Sequence, residues 1–195
     1  MLNNFLECHL IDHDKLVCEI RQITTCTICD NESISTESFV VMPIPIALSV
    51  QMSIDKFFEN ISLEGDSRYN CCRCNDYVIA NQSNYLSKNS KYMFFQVWRF
   101  QYYEGELIKD NSDVLPSREI SIEMINEEHV PTQTLRYKLC GTIHHEGGFQ
   151  AGHYWCNILK DEEWYQCNDQ NVRQINTSNI EKSNMYVAVY CFIQE

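Results

Sequence analysis

Two sets of side chains in this sequence have the types and spacing for chemistry. The first centres on His153, in "GGFQAGHYWC" (147–156). Its imidazole stands behind Gly147, Gly148 and Gly152 and ahead of Tyr154. Glycine at that density lets a loop bend freely or lets another chain approach its backbone. A histidine there can serve as a general base if one ring nitrogen is held and the other meets a nucleophile. The following "HYWCNILKDEEWYQCND" reads as two strands with a turn at Lys160 to Glu163, which returns Asn168 and Asp169 toward His153. An amide or carboxylate at one nitrogen fixes the tautomer and frees the other nitrogen as a base. Spacing alone equally allows an ordinary histidine on a strand edge.

The second set is Cys26-x-x-Cys29 and Cys71-x-x-Cys74. Each pair can fold into a tight knuckle that aims two thiolates at one ion, and two knuckles complete the tetrahedral four-thiolate site preferred by structural Zn2+. Such a site leaves no open position for a reacting water, so it would be structural and not catalytic. Four buried cysteines without metal are the alternative reading, and Cys72 is a spare thiol that could compete for a ligand place. A redox role is disfavoured because neither pair opens a helix after a strand. Forty-one residues separate the pairs. The chain must therefore leave and return between them, as two long finger-like strands around a helix would.

Those residues need strands to hold them. "LVCEIRQITT" (16–25), "SREISIEM" (117–124) and "LRYKLCGTI" (135–143) alternate apolar and polar residues as half-buried strands do, the last as a central strand. "YMFFQVWRFQYY" (92–103) reads as one aromatic strand, and "HYWCNILK", "EWYQCND" and "MYVAVYCFI" as three more. The prolines of "FVVMPIPIAL" (39–48) confine it to an edge or a connector. A short helix is expected over Ser53–Ser62, capped by Ser53, with Ile54, Phe57, Phe58 and Ile61 on one face. The sum is an α+β fold, mostly β.

Composition narrows the partners. At 195 residues the chain is one domain with a sizeable core, and 44% hydrophobic residues fit a globular protein. A net charge of −12 disfavours nucleic acid. No run of apolar residues is long enough to span a membrane and the start has no signal-peptide pattern, so the expected location is intracellular, cytoplasmic or nuclear. Eleven cysteines, an odd number, fit metal binding or buried thiols in a reducing compartment better than a disulfide framework.

Taken in order, these segments resemble the ubiquitin-specific proteases, papain-like cysteine peptidases that remove ubiquitin. The paired CxxC motifs resemble that family's zinc fingers. "VWRFQYYEGELIKDNSDVLPSREISI" resembles its LKRF block, "YKLCGTIHHEGGFQAGHYWCNI" its histidine box, "WYQCNDQNVRQI" its following W-to-D block, and "MYVAVYCFI" its closing strand. The resemblance runs from about residue 16 to the end. It implies an antiparallel palm sheet (81–195, with the histidine box) carrying a zinc-ribbon finger extension (16–80), within one partial domain over 1–195. It gives His153 the place of the general base, Asn168 that of its orienting residue, and Asp169 that of an acidic neighbour. Gly147, Gly148, Gly152 and Tyr154 take the loop that passes over the thin ubiquitin tail. Arg99, Phe100, Tyr137 and Tyr186 match structural positions.

One block is missing. The family's nucleophile lies in an N-terminal Gly-Asn-x-Cys block ahead of a helical thumb, and these residues contain none. Cys8, in "NNFLECHLID", lacks the Gly-Asn before it and the Asn after it; Cys8 and Cys18 read as buried thiols. Cys156 is two residues past Tyr154 on the same strand, too constrained to attack beside His153. The expectation is a finger and palm portion without its thumb. It would bind ubiquitin or a ubiquitin-like protein, with a separate chain supplying the thumb, or would be an inactive remnant. A non-catalytic ubiquitin-binding module and a zinc-stabilised β-rich structural protein are the alternatives.

Overall fold

A computed structural model describes residues 15–148, 151–176, 180 and 184–193; Cys8 lies outside them. The strands are β1 (Cys18–Cys26), β2 (Glu32–Phe39), β3 (Val41–Ile44), β4 (Ile61–Leu63), β5 (Tyr69–Cys71), β6 (Asp76–Val78), β7 (Ala80–Lys88) and β8 (Tyr92–Val97). They continue as β9 (Phe100–Tyr103), β10 (Glu106–Lys109), β11 (Glu119–Ile125), β12 (Pro131–Gly147), β13 (Gly152–Lys160), β14 (Glu163–Asn168), β15 (Asn171–Ile175) and β16 (Met185–Phe192). The helix α1 spans Val50–Phe58.

The long strand β12 is the axis of the palm. Along one edge its first half pairs with β11 and its second half with β13, while β16 lies along the other edge. Beyond β13 come β14 and β15; beyond β16 come β8 and then β3. Alternation along these strands turns Phe95, Ile120, Ile122, Leu135, Tyr137, Leu139 and Tyr190 inward, where Val50 and Ile54 of α1 close the core. As its prolines require, β3 is an edge strand bonded to β8. Among the described residues no helix is long and apolar enough to cross a membrane.

From this palm β1 and β7 project as an antiparallel pair, with Glu19 opposite Lys88 at the base and Cys26 opposite Ala80 at the tip. The flanking β2 is exposed from Glu32 to Ser38 and built of Glu, Ser and Thr around one Ile, side chains that blunt an open edge. The extension is not one continuous stretch of 16–80. Met42, Ile44, Val50 and Ile54 lie inside that range yet pack in the palm core, because a thin finger could not bury them. The chain goes out on β1, returns on β2 for β3 and α1, goes out again through β4 to β6, and comes home on β7.

Two local expectations need correction. The helix begins earlier than Ser53: Ser49 is the cap, its Oγ accepting from the Met52 amide at 3.2 Å, and Ser53 is buried on the core face. Ile54, Phe57 and Phe58 do pack on the core, joined by Val50, while Ile61 belongs to β4 and pairs with Gln82 of β7. The aromatic run 92–103 is two strands. Arg99 breaks it by turning fully inward, where Nε donates to the Met185 carbonyl at 2.7 Å and Nη1 to those of Asp110 and Ser112 at 2.9 and 2.8 Å.

Candidate active site and metal centre

The hairpin of β13 and β14 places the first set. Lys160 pairs with Glu163, and the turn residues Asp161 and Glu162 both have positive φ (50° and 64°), the geometry that matches strand twist. The register then carries Asn168, at the end of β14, to His153, at the start of β13. His153 Nε2 and Asn168 Oδ1 lie 2.6 Å apart. An amide oxygen only accepts, so the contact is a hydrogen bond when Nε2 carries the proton, and in that neutral tautomer Nδ1 presents a lone pair. Asp169 follows at φ 52° in the tight turn to β15. It is exposed and stands beside the pair without joining it.

The ring is also supported from below. His153 stacks on Trp155 (centroids 6.2 Å, 21°), and Trp155 stacks on the fully buried His144 (5.2 Å, 10°). His144 Nε2 lies 2.9 Å from Thr142 Oγ1 and 3.1 Å from Asn157 Nδ2. Cys156 does not face His153. Alternation along β13 turns it to the opposite side of the sheet, and burial, with Cys167 beside it, pushes its thiol up.

Behind the glycine loop lies His145, which the sequence reading passed over. Its ring is 4% exposed and packs against Tyr154 at 4.4 Å, Tyr186 at 5.9 Å and Phe100 at 6.2 Å. A Cβ on Gly152 would enter this ring and come within 2.6 Å of the Glu146 carbonyl. Gly147 has φ 108°, and a Cβ there would meet the Ala151 carbonyl at 2.6 Å. Gly148 has nothing within 4 Å. Two of the three glycines are thus demanded by packing. Lys109 Nζ, from the β9–β10 hairpin, donates to the carbonyls of His145 and Gly147 and ties that hairpin to the loop. The doubled histidine in "HHEG" is the one sequence signal that hinted at His145.

Burial, and then the Lys109 charge, hold His145 below its ordinary value of 6.5. A histidine depressed in the folded state binds its proton more readily when unfolded. Stability is therefore present above the unfolded value and is lost as pH falls through the folded one. Urea unfolding should show stability falling by up to one proton's slope as pH drops below about 6.5. His145→Gln should flatten that limb; an unchanged limb would place the acid sensitivity elsewhere.

The second set meets at the finger tip. Cys26 and Cys74 sulfurs are 3.8 Å apart, Cys29 and Cys71 sulfurs 3.7 Å, and all four lie within 4.8 Å of one another. A tetrahedral ion with metal–sulfur bonds of about 2.3 Å needs sulfurs about 3.8 Å apart, so the four thiols fit a metal ion. Both knuckles are built alike. The Asp30 amide donates to the Cys26 carbonyl and the Asn75 amide to that of Cys71, with φ of 56° and 55° at the two donors. Cys72 is exposed, faces Asn31, and stands outside the group.

Residues 4–190 match the family model described as "Ubiquitin carboxyl-terminal hydrolase", and the chain belongs to that family. It is 26% identical over 148 residues to the probable ubiquitin carboxyl-terminal hydrolase R319 of Acanthamoeba polyphaga mimivirus, covering 73% of this chain and 31% of that protein. It is 26% identical over 184 residues to human ubiquitin carboxyl-terminal hydrolase 42, covering 90% of this chain and 14% of that protein. The chain thus spans about a third or less of these relatives. Its fold is that of Ubp8 in the SAGA Ubp8/Sgf11/Sus1/Sgf73 DUB module bound to ubiquitin aldehyde. That likeness has a TM-score of 0.81 at 21% identity and covers 100% of this chain and 45% of that one.

Proposed function

We propose that the chain is the palm and finger portion of a thiol-dependent deubiquitinase, with His153 as general base and Asn168 as the residue that orients it. One observation carries the reading: the 2.6 Å contact of Nε2 with Oδ1 beside a glycine loop, in a chain of this family. A thiol delivered to Nδ1 gives up its proton, and its thiolate attacks the carbonyl after ubiquitin's terminal glycine. The imidazolium protonates the leaving amine, and water, activated by the same base, releases the acyl group. The Asn168 amide holds the ring through both steps but pairs the imidazolium with a dipole and not a full charge. The neighbouring Asp169 supplies a carboxylate near that charge.

No Gly-Asn-x-Cys block occurs in the 195 residues, and the Cys156 side chain faces away from His153. We therefore assign the nucleophile to a thumb outside these residues, on a separate chain or an adjoining segment. Alone, the chain holds ubiquitin or a ubiquitin-like protein without cutting it, in a reducing intracellular setting. Its net charge of −12 favours encounter with a partner's basic face. Zn2+ is the ion assigned to Cys26, Cys29, Cys71 and Cys74, where it supplies structural cross-linking and no chemistry. Incubating the chain with ubiquitin bearing a C-terminal electrophile should give no adduct. Labelling of any cysteine here, Cys8 included, would overturn the division of labour.

A further inference from the structure

We propose that Cys156 and Cys167 form a reversible disulfide site on the back of the hairpin that carries His153 and Asn168. The inference needs no deubiquitinase activity, only the observed register. Cys156 stands directly opposite Cys167. Counted from the closing pair Lys160 and Glu163, theirs is a hydrogen-bonded pair, whose Cα atoms lie about 5.5 Å apart. Disulfides form with Cα atoms roughly 4.4–6.8 Å apart, so closing this bond asks little of the backbone. The two side chains share one face of the hairpin as directly opposed residues, and burial first, then Cys167 beside it, raises the Cys156 thiol. Both are half-buried and reachable by a small oxidant, and neither belongs to the metal group.

The other cysteines are placed differently. Cys140 sits where the register of β12 and β16 slips, between Leu139 and Gly141, with Sγ directed at the Val189 carbonyl at 3.4 Å. Its neighbour Cys191 stands opposite Lys138. That makes the two a diagonal pair across a bulge, whose thiols also interact, but which lacks the directly opposed backbone of Cys156 and Cys167. Cys26, Cys29, Cys71 and Cys74 are gathered at the finger tip as the group that fits a metal ion.

With hydrogen peroxide as oxidant, both S–H bonds break and one S–S bond forms. Two electrons and two protons pass to the peroxide, which leaves as two waters. The link pins β13 to β14 immediately beside Asn168 and one residue past Trp155, the ring under His153. It therefore fixes the hairpin that sets the base, and a dithiol reductant releases it.

The test uses the whole metal-loaded chain, treated with about one equivalent of hydrogen peroxide, alkylated, and mapped after trypsin. Cleavage after Lys138, Lys160 and Arg173 leaves the two thiols on separate peptides. The expected result is loss of two alkylatable thiols and a cross-linked pair of peptides beginning at Leu139 and Asp161. Dithiothreitol should reverse it, Cys156→Ser should abolish it, and Cys140→Ser should leave it intact. A link to Cys191, scattered oxidation without a cross-link, or a link that survives Cys156→Ser would overturn the proposal.

Discussion

A chelator, or replacement of Cys71 with serine, should unfold the finger tip and leave the palm folded. The tip has almost no core of its own. Cys26, Cys71 and Val78 are its buried residues, with Cys29, Tyr69 and Cys74 packed around them. Strands β5 and β6 are three residues each and pair with one another in a two-stranded sheet. A hairpin that small is not stable in water without further support. Structural zinc contributes ~10–16 kcal/mol of apparent binding energy to small thiolate domains, far more than those few apolar contacts can. Hydrogen exchange gives the readout. Protection of the Asp30 and Asn75 amides, which close the two knuckles, should vanish on chelation, while that of Leu139 and His145 in the palm should persist. Protection unchanged by chelation would mean that the four cysteines hold the tip as buried thiols alone.

Gly152→Ala should damage the palm far more than a methyl group ordinarily does. The new Cβ would run into the His145 ring, which has no free direction of retreat. Tyr154, Tyr186 and Phe100 wall it on its faces, and Lys109 holds its carbonyl. The Glu146 carbonyl, at 2.6 Å from that Cβ, blocks the backbone side. Overpacking of this kind costs about 1–3 kcal/mol and more where backbone must shift. Here the yielding element is the start of β13, so His153 moves with it. Gly148→Ala, with open space around its Cβ, should change stability by less than ~0.5 kcal/mol. Urea unfolding of the two variants side by side checks the contrast. Equal effects would mean that the His145 ring is free to move aside.

What could be read before the structure was what short periodicities encode. The CxxC spacing implied the knuckles, and a two-residue turn after Lys160 implied that Asn168 returns to His153. In both cases the relevant contact depends on local geometry and a count of residues. The losses came where tertiary packing decides. Ile61 fits a helical stripe by spacing, yet pairing with β7 claims it for a strand. Trp98-Arg99 looks like more strand, yet a buried guanidinium binding three carbonyls turns the chain there. The identity of residues 41–58 as palm, inside a stretch that otherwise forms the finger, depends on which core receives Met42 and Ile54, and no local pattern states that. Gly152 was legible as a loop glycine, but its reason is a ring seven residues earlier in sequence and across a strand pair.

The direct measurement of the central claim is a titration of 15N-labelled ubiquitin with the metal-loaded chain, followed by NMR. The account predicts saturable shifts on one face of ubiquitin and along its C-terminal tail, with a dissociation constant below ~1 mM, the globular-body shifts diminishing when chelator removes the finger tip. Spectra of ubiquitin unchanged at millimolar concentrations of both proteins would contradict it, and would leave a metal-stabilised β fold that does not hold ubiquitin.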